Sequence, residues 1–130
     1  MTGILMIAVG NSYGSAPVNT LAPAVTGTAT YGQTLTCTTG TWTGSPTPTY
    51  TYQWQRSGSN IGGATSSTYV LVANDVGNTI RCVISATNSV APSGVSANSN
   101  STALIAALVP GAPIIGTATR SSSQTIQVAF

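Results

Sequence analysis

Very few side chains in this sequence can do acid–base or nucleophilic chemistry. Among 130 residues there is one acid, Asp75, and three cations, Arg56, Arg81 and Arg120, with no Lys, Glu or His. A general acid–base pair needs two titratable groups within hydrogen-bond reach. Asp75 has only tyrosines and the two cysteines, Cys37 and Cys82, to choose from. A nucleophilic Ser needs a base and an orienting group, and no Ser here has a candidate base. Metal sites need clustered Cys, His or carboxylates, and none are clustered. No Gly-rich phosphate loop joins a strand to a helix. We therefore expect a non-enzymatic chain with no catalytic residues, no metal and no cofactor. Asp75 lies in Asn74-Asp75-Val76-Gly77, a tight-turn pattern. A carboxylate in such a turn bonds nearby backbone N–H groups, so Asp75 and Gly77 read as turn residues.

The charge balance also narrows the partners. Charged residues are 3% of the chain and the net charge is +2, against about 25% charged in ordinary domains. Three scattered arginines give neither the basic stripe nor the charged stacking surface that nucleic acid requires. Ser and Thr take the place of ions, and hydrophobic residues are 42%. That is unlike disorder, which needs high charge and few β-branched or aromatic residues. Near-neutral surfaces repel their own copies weakly. The composition suits an assembled protein, or a module within a longer and more charged chain.

The elements that must position these residues are strands. Tyr50-Thr51-Tyr52-Gln53-Trp54-Gln55-Arg56 alternates, with Tyr50, Tyr52 and Trp54 on one face, which is the period of a half-buried strand. Gln33–Thr39 puts Leu35 and Cys37 on one face. Ser67–Val72 turns Tyr69 and Leu71 inward. Thr79–Thr87 turns Ile80, Cys82, Ile84 and Ala86 inward. Pro17–Tyr31 reads as a first strand at a sheet edge, where proline is tolerated. Gly40–Pro48, with Gly44, Pro46 and Pro48, reads as a loop. Trp42 in it caps one end of the core and needs a partner for its indole N–H. Asn88–Asn100 reads as a polar loop and strand entry, and Ser101–Val109 as the last strand. Cys37 and Cys82 are either one disulfide, worth roughly 4 kcal/mol for a loop of that size, or two buried thiols packed on Trp54. The compartment decides between them.

Four blocks carry a resemblance. They are Gly32–Trp42 (G-Q-T-L-T-C-T-T-G-T-W), Tyr50–Gly58 (Y-T-Y-Q-W-Q-R-S-G), Ile61–Tyr69 (I-G-G-A-T-S-S-T-Y) and Asp75–Asn88 (D-V-G-N-T-I-R-C-V-I-S-A-T-N). Cys…Trp…Cys with strands around each residue is a signature of immunoglobulin-like sandwiches. Together the blocks resemble the immunoglobulin-like modules of bacterial surface proteins and tailed-phage structural proteins. The resemblance implies an all-β, two-sheet antiparallel sandwich over residues 17–109, with extended N-terminal and C-terminal segments. Its core would hold Leu35, Tyr52, Trp54, Tyr69, Leu71, Ile80 and Ile84 with Cys37 and Cys82. One departure stands out: antibody-type domains carry a Tyr two residues before the second Cys, and here that position is Ile80. Asp75 and Gly77, or backbone, must hold the turn instead.

The ends are separate. Residues 1–16 contain the apolar run Ile4, Leu5, Met6, Ile7, Ala8 and Val9 with no charge before it. The run is shorter than a bilayer span, which takes about 18 residues, and lacks the charged start of a signal peptide. We expect it to be an anchor that docks on a neighbouring subunit or packs on its own domain. Residues 110–130 open with Pro110-Gly111-Ala112-Pro113, a linker, and end with Ile126, Val128 and Phe130 alternating. They resemble the start of a fibronectin type III domain. Two strands alone are marginal in water, so we expect this hairpin to pair with a further module or another subunit. The expected partners are other subunits of a viral particle or copies of itself, at a virion surface. The alternative is a bacterial cell-surface or secreted adhesion module, with weak glycan contact through exposed Tyr and Trp. Neither nucleic acid nor a membrane span is expected.

Overall fold

The computed structural model describes residues 13–111. The anchor residues Ile4, Leu5, Met6, Ile7 and Val9, and the terminal residues Ile126, Val128 and Phe130, lie outside the described residues. What is described is an antiparallel β-sandwich. Its strands are β1 (Ser15–Leu21), β2 (Val25–Thr26), β3 (Thr34–Cys37), β4 (Thr41–Ser45), β5 (Thr49–Arg56), β6 (Ser59–Asn60), β7 (Thr68–Val70), β8 (Ile80–Thr87) and β9 (Val95–Asn98). A short 3₁₀ turn, Ala73–Asp75, lies between β7 and β8. One sheet has the order β6-β5-β8-β9 and the facing one β2-β3-β7, while β1 and β4 form a separate pair.

The centre is β5 against β8. They pair from Thr49↔Thr87 to Arg56↔Ile80, which sets Trp54 opposite Cys82. On β8 every second side chain, Ile80, Cys82, Ile84 and Ala86, is buried. The opposite face of the core comes from Val25, Leu35, Cys37 and Leu71. Ile105 completes the core from the C-terminal stretch, which bridges both Val76 and, through Ala106, Thr30 in parallel register. There Tyr31 N–H donates to the Ala106 carbonyl (2.8 Å) and Ala106 N–H to the Ala29 carbonyl (2.8 Å).

Four local expectations need correction. Gly40–Pro48 is not all loop, because Thr41–Ser45 forms β4 and pairs with β1. Turn-forming residues there were overridden by an available ladder, as strand formation depends on context more than on propensity. The expected single first strand is two strands on different partners, β1 on β4 and β2 on β3. Ser15 and Ala16, placed in the N-terminal segment, belong to β1. The last strand is Val95–Asn98, inside the stretch read as a polar loop, and pairs with β8. Its exposed side chains are Val, Ser and Asn, so no apolar alternation marked it.

Where β9 ends, side chains continue its work. Ser99 Oγ accepts from Cys82 N–H (2.9 Å) and Thr102 Oγ1 accepts from Ile80 N–H (3.0 Å). The Asn100 amide clamps Val25 from both ends, its Oδ1 accepting at 2.8 Å and its Nδ2 donating at 3.2 Å. These hydroxyls and amides satisfy buried backbone groups that would otherwise lack partners.

One glycine carries a testable constraint. Gly40 has φ +73°, and a Cβ there would collide with the Leu21 carbonyl oxygen and lie 2.8 Å from Pro23 N. Gly40→Ala should cost about 2 kcal/mol through this strain, read as a lowered melting temperature. Gly62→Ala, where a Cβ meets nothing within 4 Å, should leave it nearly unchanged.

Candidate functional site

The side chains with chemical potential gather in two places. The first is the core around Trp54. Its indole N–H donates to the Ser66 carbonyl (2.8 Å) and its ring stacks on Tyr69 with centroids 5.6 Å apart. Cys37 and Cys82 are both buried thiols next to it. The neighbouring Cys82 thiol, and then burial, push the Cys37 thiol far above the usual range. A nucleophile must be a thiolate, and at Cys37 this environment opposes one. Tyr52 is half-buried beside the pair, and burial, followed by the nearby thiols, raises its hydroxyl.

These shifts set a pH dependence for the reduced chain. Cys37, Tyr52 and Tyr69 are all raised in the folded state. Their stabilising contribution is therefore complete below their unfolded values and is lost as pH rises towards the folded ones. The chain has no His, so no side chain has an ordinary value between pH 5 and 8. Urea midpoints should be flat across that window and fall above about pH 9. A midpoint that rises from pH 8 to pH 10 would contradict this.

The second place is the turn before β8. Asp75 is fully buried. Its Oδ1 accepts from Arg56 Nε (2.7 Å), while its Oδ2 accepts from Tyr69 Oη (3.0 Å) and from Val72 N–H (2.7 Å). The hydrogen bond to Asp75 raises the Arg56 guanidinium further. Burial, and then the bond to Asp75, raise the Tyr69 hydroxyl. Gly77, at φ +78°, gives its N–H to the Ile105 carbonyl (2.9 Å). The expected turn carboxylate thus does bond local backbone, and it also ties β5 and β7 to the turn. Arg56 is the residue that sequence reasoning missed here. A usable signal existed: a sole acid placed inside must have a cation, since a buried unpaired charge is very costly.

The remaining singled-out residues are structural in placement. Leu35, Leu71, Ile80 and Ile84 are buried in the core. Trp42 lies on β4, gives its indole N–H to the Thr39 carbonyl (2.7 Å) and tilts against Tyr50 at 6.2 Å. With both tryptophans buried, the well-exposed aromatics among the described residues are Tyr13 and Tyr31.

The surface of the described residues carries shallow hollows. An open groove of about 450 Å³ runs between β7 and the 61–66 connection, with Arg56 and Tyr69 in its wall. A smaller one of about 280 Å³ is lined by Tyr31, Ala73, Val76, Ala107 and Leu108. Among the described residues no group of three His, Cys, Asp or Glu could hold a metal. Nor is any helix there long and apolar enough to cross a membrane. No family model, curated protein or solved structure matches this chain.

Proposed function

We propose that this chain is a non-enzymatic structural module, an immunoglobulin-like domain that decorates a tailed-phage capsid or tail and is anchored through residues 1–16. The observation that carries the non-enzymatic reading is the state of Asp75. The sole carboxylate of the chain is buried, and both its oxygens are engaged by Arg56, Tyr69 and Val72. It is held from solvent and from any substrate, so the acid–base chemistry the chain could have run is committed to holding a turn. The particle assignment rests on the resemblance of the four blocks between Gly32 and Asn88 and on a surface of hydroxyls with little charge.

The mechanism is assembly. The apolar run of residues 4–9 would bury its side chains on a particle subunit, a favourable transfer of about 25 cal/mol per Å², and the sandwich would stand outward. Deleting residues 1–16 tests this in particles assembled with the shortened chain. Loss of the protein from purified particles is expected, while the shortened chain keeps its fold apart from the first residues of β1. Normal occupancy would overturn the anchor. A bacterial surface adhesion module is the second reading. Tyr13 and Tyr31 would be its glycan-stacking residues, and binding to immobilised glycans that is lost in Tyr31→Ala would favour it.

A further inference from the structure

We propose that the outer edge of β7 is a pairing edge for a second copy of this chain, joined antiparallel about a two-fold axis at Tyr69. This deepens the structural reading above by naming one partner and one contact. Among the described residues β7 is the last strand of its sheet, with β3 on one side only. Leu71 N–H donates to the Gln33 carbonyl (2.9 Å) and Cys37 N–H to the Ser67 carbonyl (2.8 Å). The two-residue period of an antiparallel ladder then turns the backbone groups of Tyr69 towards β3 as well. The N–H and C=O groups of Thr68 and Val70 point the other way, outward from the sheet.

Among the described residues the space beyond them is open. The groove of about 450 Å³ lies along this edge. Its far wall includes Gly62 and Gly63, where an added Cβ would meet nothing within 4 Å, so a second backbone can approach. Val70 and Val72 are exposed beside it, Val70 at 55%. Natural sheet edges are blunted by proline, charge or bulges. The edges of β1, β2 and β4 have such guards: Pro17 lies within β1, Pro23 precedes β2, and Pro46 and Pro48 follow β4. β6 and β9, the edges of the four-stranded sheet, carry none within them, but the open groove lies along β7. The run from Ser66 to Val72 has neither proline nor charge.

The occupant follows from charge and symmetry. Among the described residues the one ion at the groove, Arg56, is paired with Asp75 at 2.7 Å, so the described parts of two copies meet there without like-charge repulsion. An antiparallel edge is self-complementary under a two-fold axis. Thr68 would face Val70 of the partner subunit and Val70 would face Thr68 of the partner subunit, each pair exchanging two hydrogen bonds. A strand this short buries little area, so the expected dimer is weak, with a dissociation constant on the order of 0.1–1 mM. On a particle that holds many copies close together, such contacts gain from effective concentration.

The full chain in solution, without any particle, tests the contact. As concentration rises to about 1 mM, we expect slower tumbling by NMR relaxation, shift changes at residues 66–72, and slowed amide exchange at Thr68 and Val70. Val70→Lys should abolish all three and keep the melting temperature; Thr68→Lys serves as an independent second variant. Val18→Lys, an exposed position on β1, should leave them intact. Unchanged tumbling across the range, or association that survives both β7 variants, would overturn the proposal. Residues 1–16 are present throughout, so this result stands or falls separately from the anchor deletion.

Discussion

Trp54→Ala is expected to remove about 3–5 kcal/mol of folding stability, the range for a fully buried Trp cut to its Cβ. Trp54 has no exposed surface. Its removal leaves a void between the two sheets, takes the stacking partner from Tyr69, and strips the Ser66 carbonyl of its donor. Backbone bonds to Ala64 and Ile61, at 2.9 Å each, keep the strand path, so collapse into the void is restricted. For a domain of this size the loss corresponds to a melting temperature lower by roughly 15–30 °C. Trp54→Phe should recover more than half of it, because the ring volume is largely kept while the Ser66 carbonyl stays unpaired. Urea titration of both variants measures the two parts. A loss under about 1 kcal/mol for the alanine variant would mean that the two sheets do not depend on this side chain.

Arg56→Ala should cost nearly as much, about 3 kcal/mol. Arg56 is 27% exposed and Asp75 not at all, so the two ends of the pair are unequal. Removing Arg56 strands a carboxylate that cannot turn to water. Removing the charge at the other end, in Asp75→Asn, lets Arg56 swing out to solvent. Asp75→Asn should therefore cost less, about 2 kcal/mol, chiefly through weakened bonds to Tyr69 and Val72. The double variant Arg56→Ala/Asp75→Asn should be less damaged than the sum of the singles by about 1 kcal/mol or more. Because Asp75 is buried, the pair should be insensitive to added salt. An Arg56→Ala loss that vanishes at 1 M salt would place the interaction at the surface instead.

Much of the architecture was legible because the central strands alternate cleanly. Ile80-Arg81-Cys82-Val83-Ile84-Ser85-Ala86 could lie in only one orientation on a core, and that orientation is the one found. A one-residue slip would turn the whole set outward. β4 and β9 were not legible, and for a common reason. Their sequences, Thr-Trp-Thr-Gly-Ser and Val-Ser-Ala-Asn, have no apolar stripe, and their strand character comes from the neighbour that offers a ladder. The Asp75 cluster was half legible. The turn chemistry of Asp75 and Gly77 could be read locally. The ion pair to Arg56, 19 residues away, depends on how β5 lies beside the turn, which no local pattern encodes. Ser99, Asn100 and Thr102 were similarly hidden, since they act on β8 and β2 through side chains.

The parallel bridge between Thr30 and Ala106 has a mechanical consequence. Residues near Thr30 lead back to the start of the chain, and residues after Ala106 lead on to its end. If the molecule is stretched between its two ends, these neighbouring segments are pulled in opposite directions along a shared axis. The bonds Tyr31 N–H to Ala106 and Ala106 N–H to Ala29 are then loaded together in shear, and cannot open one after another as in a peeled hairpin. Forced unfolding is a matter of rate, so once β1 and β2 have been drawn off β4 and β3, this small clasp resists the next step of opening out of proportion to its share of equilibrium stability.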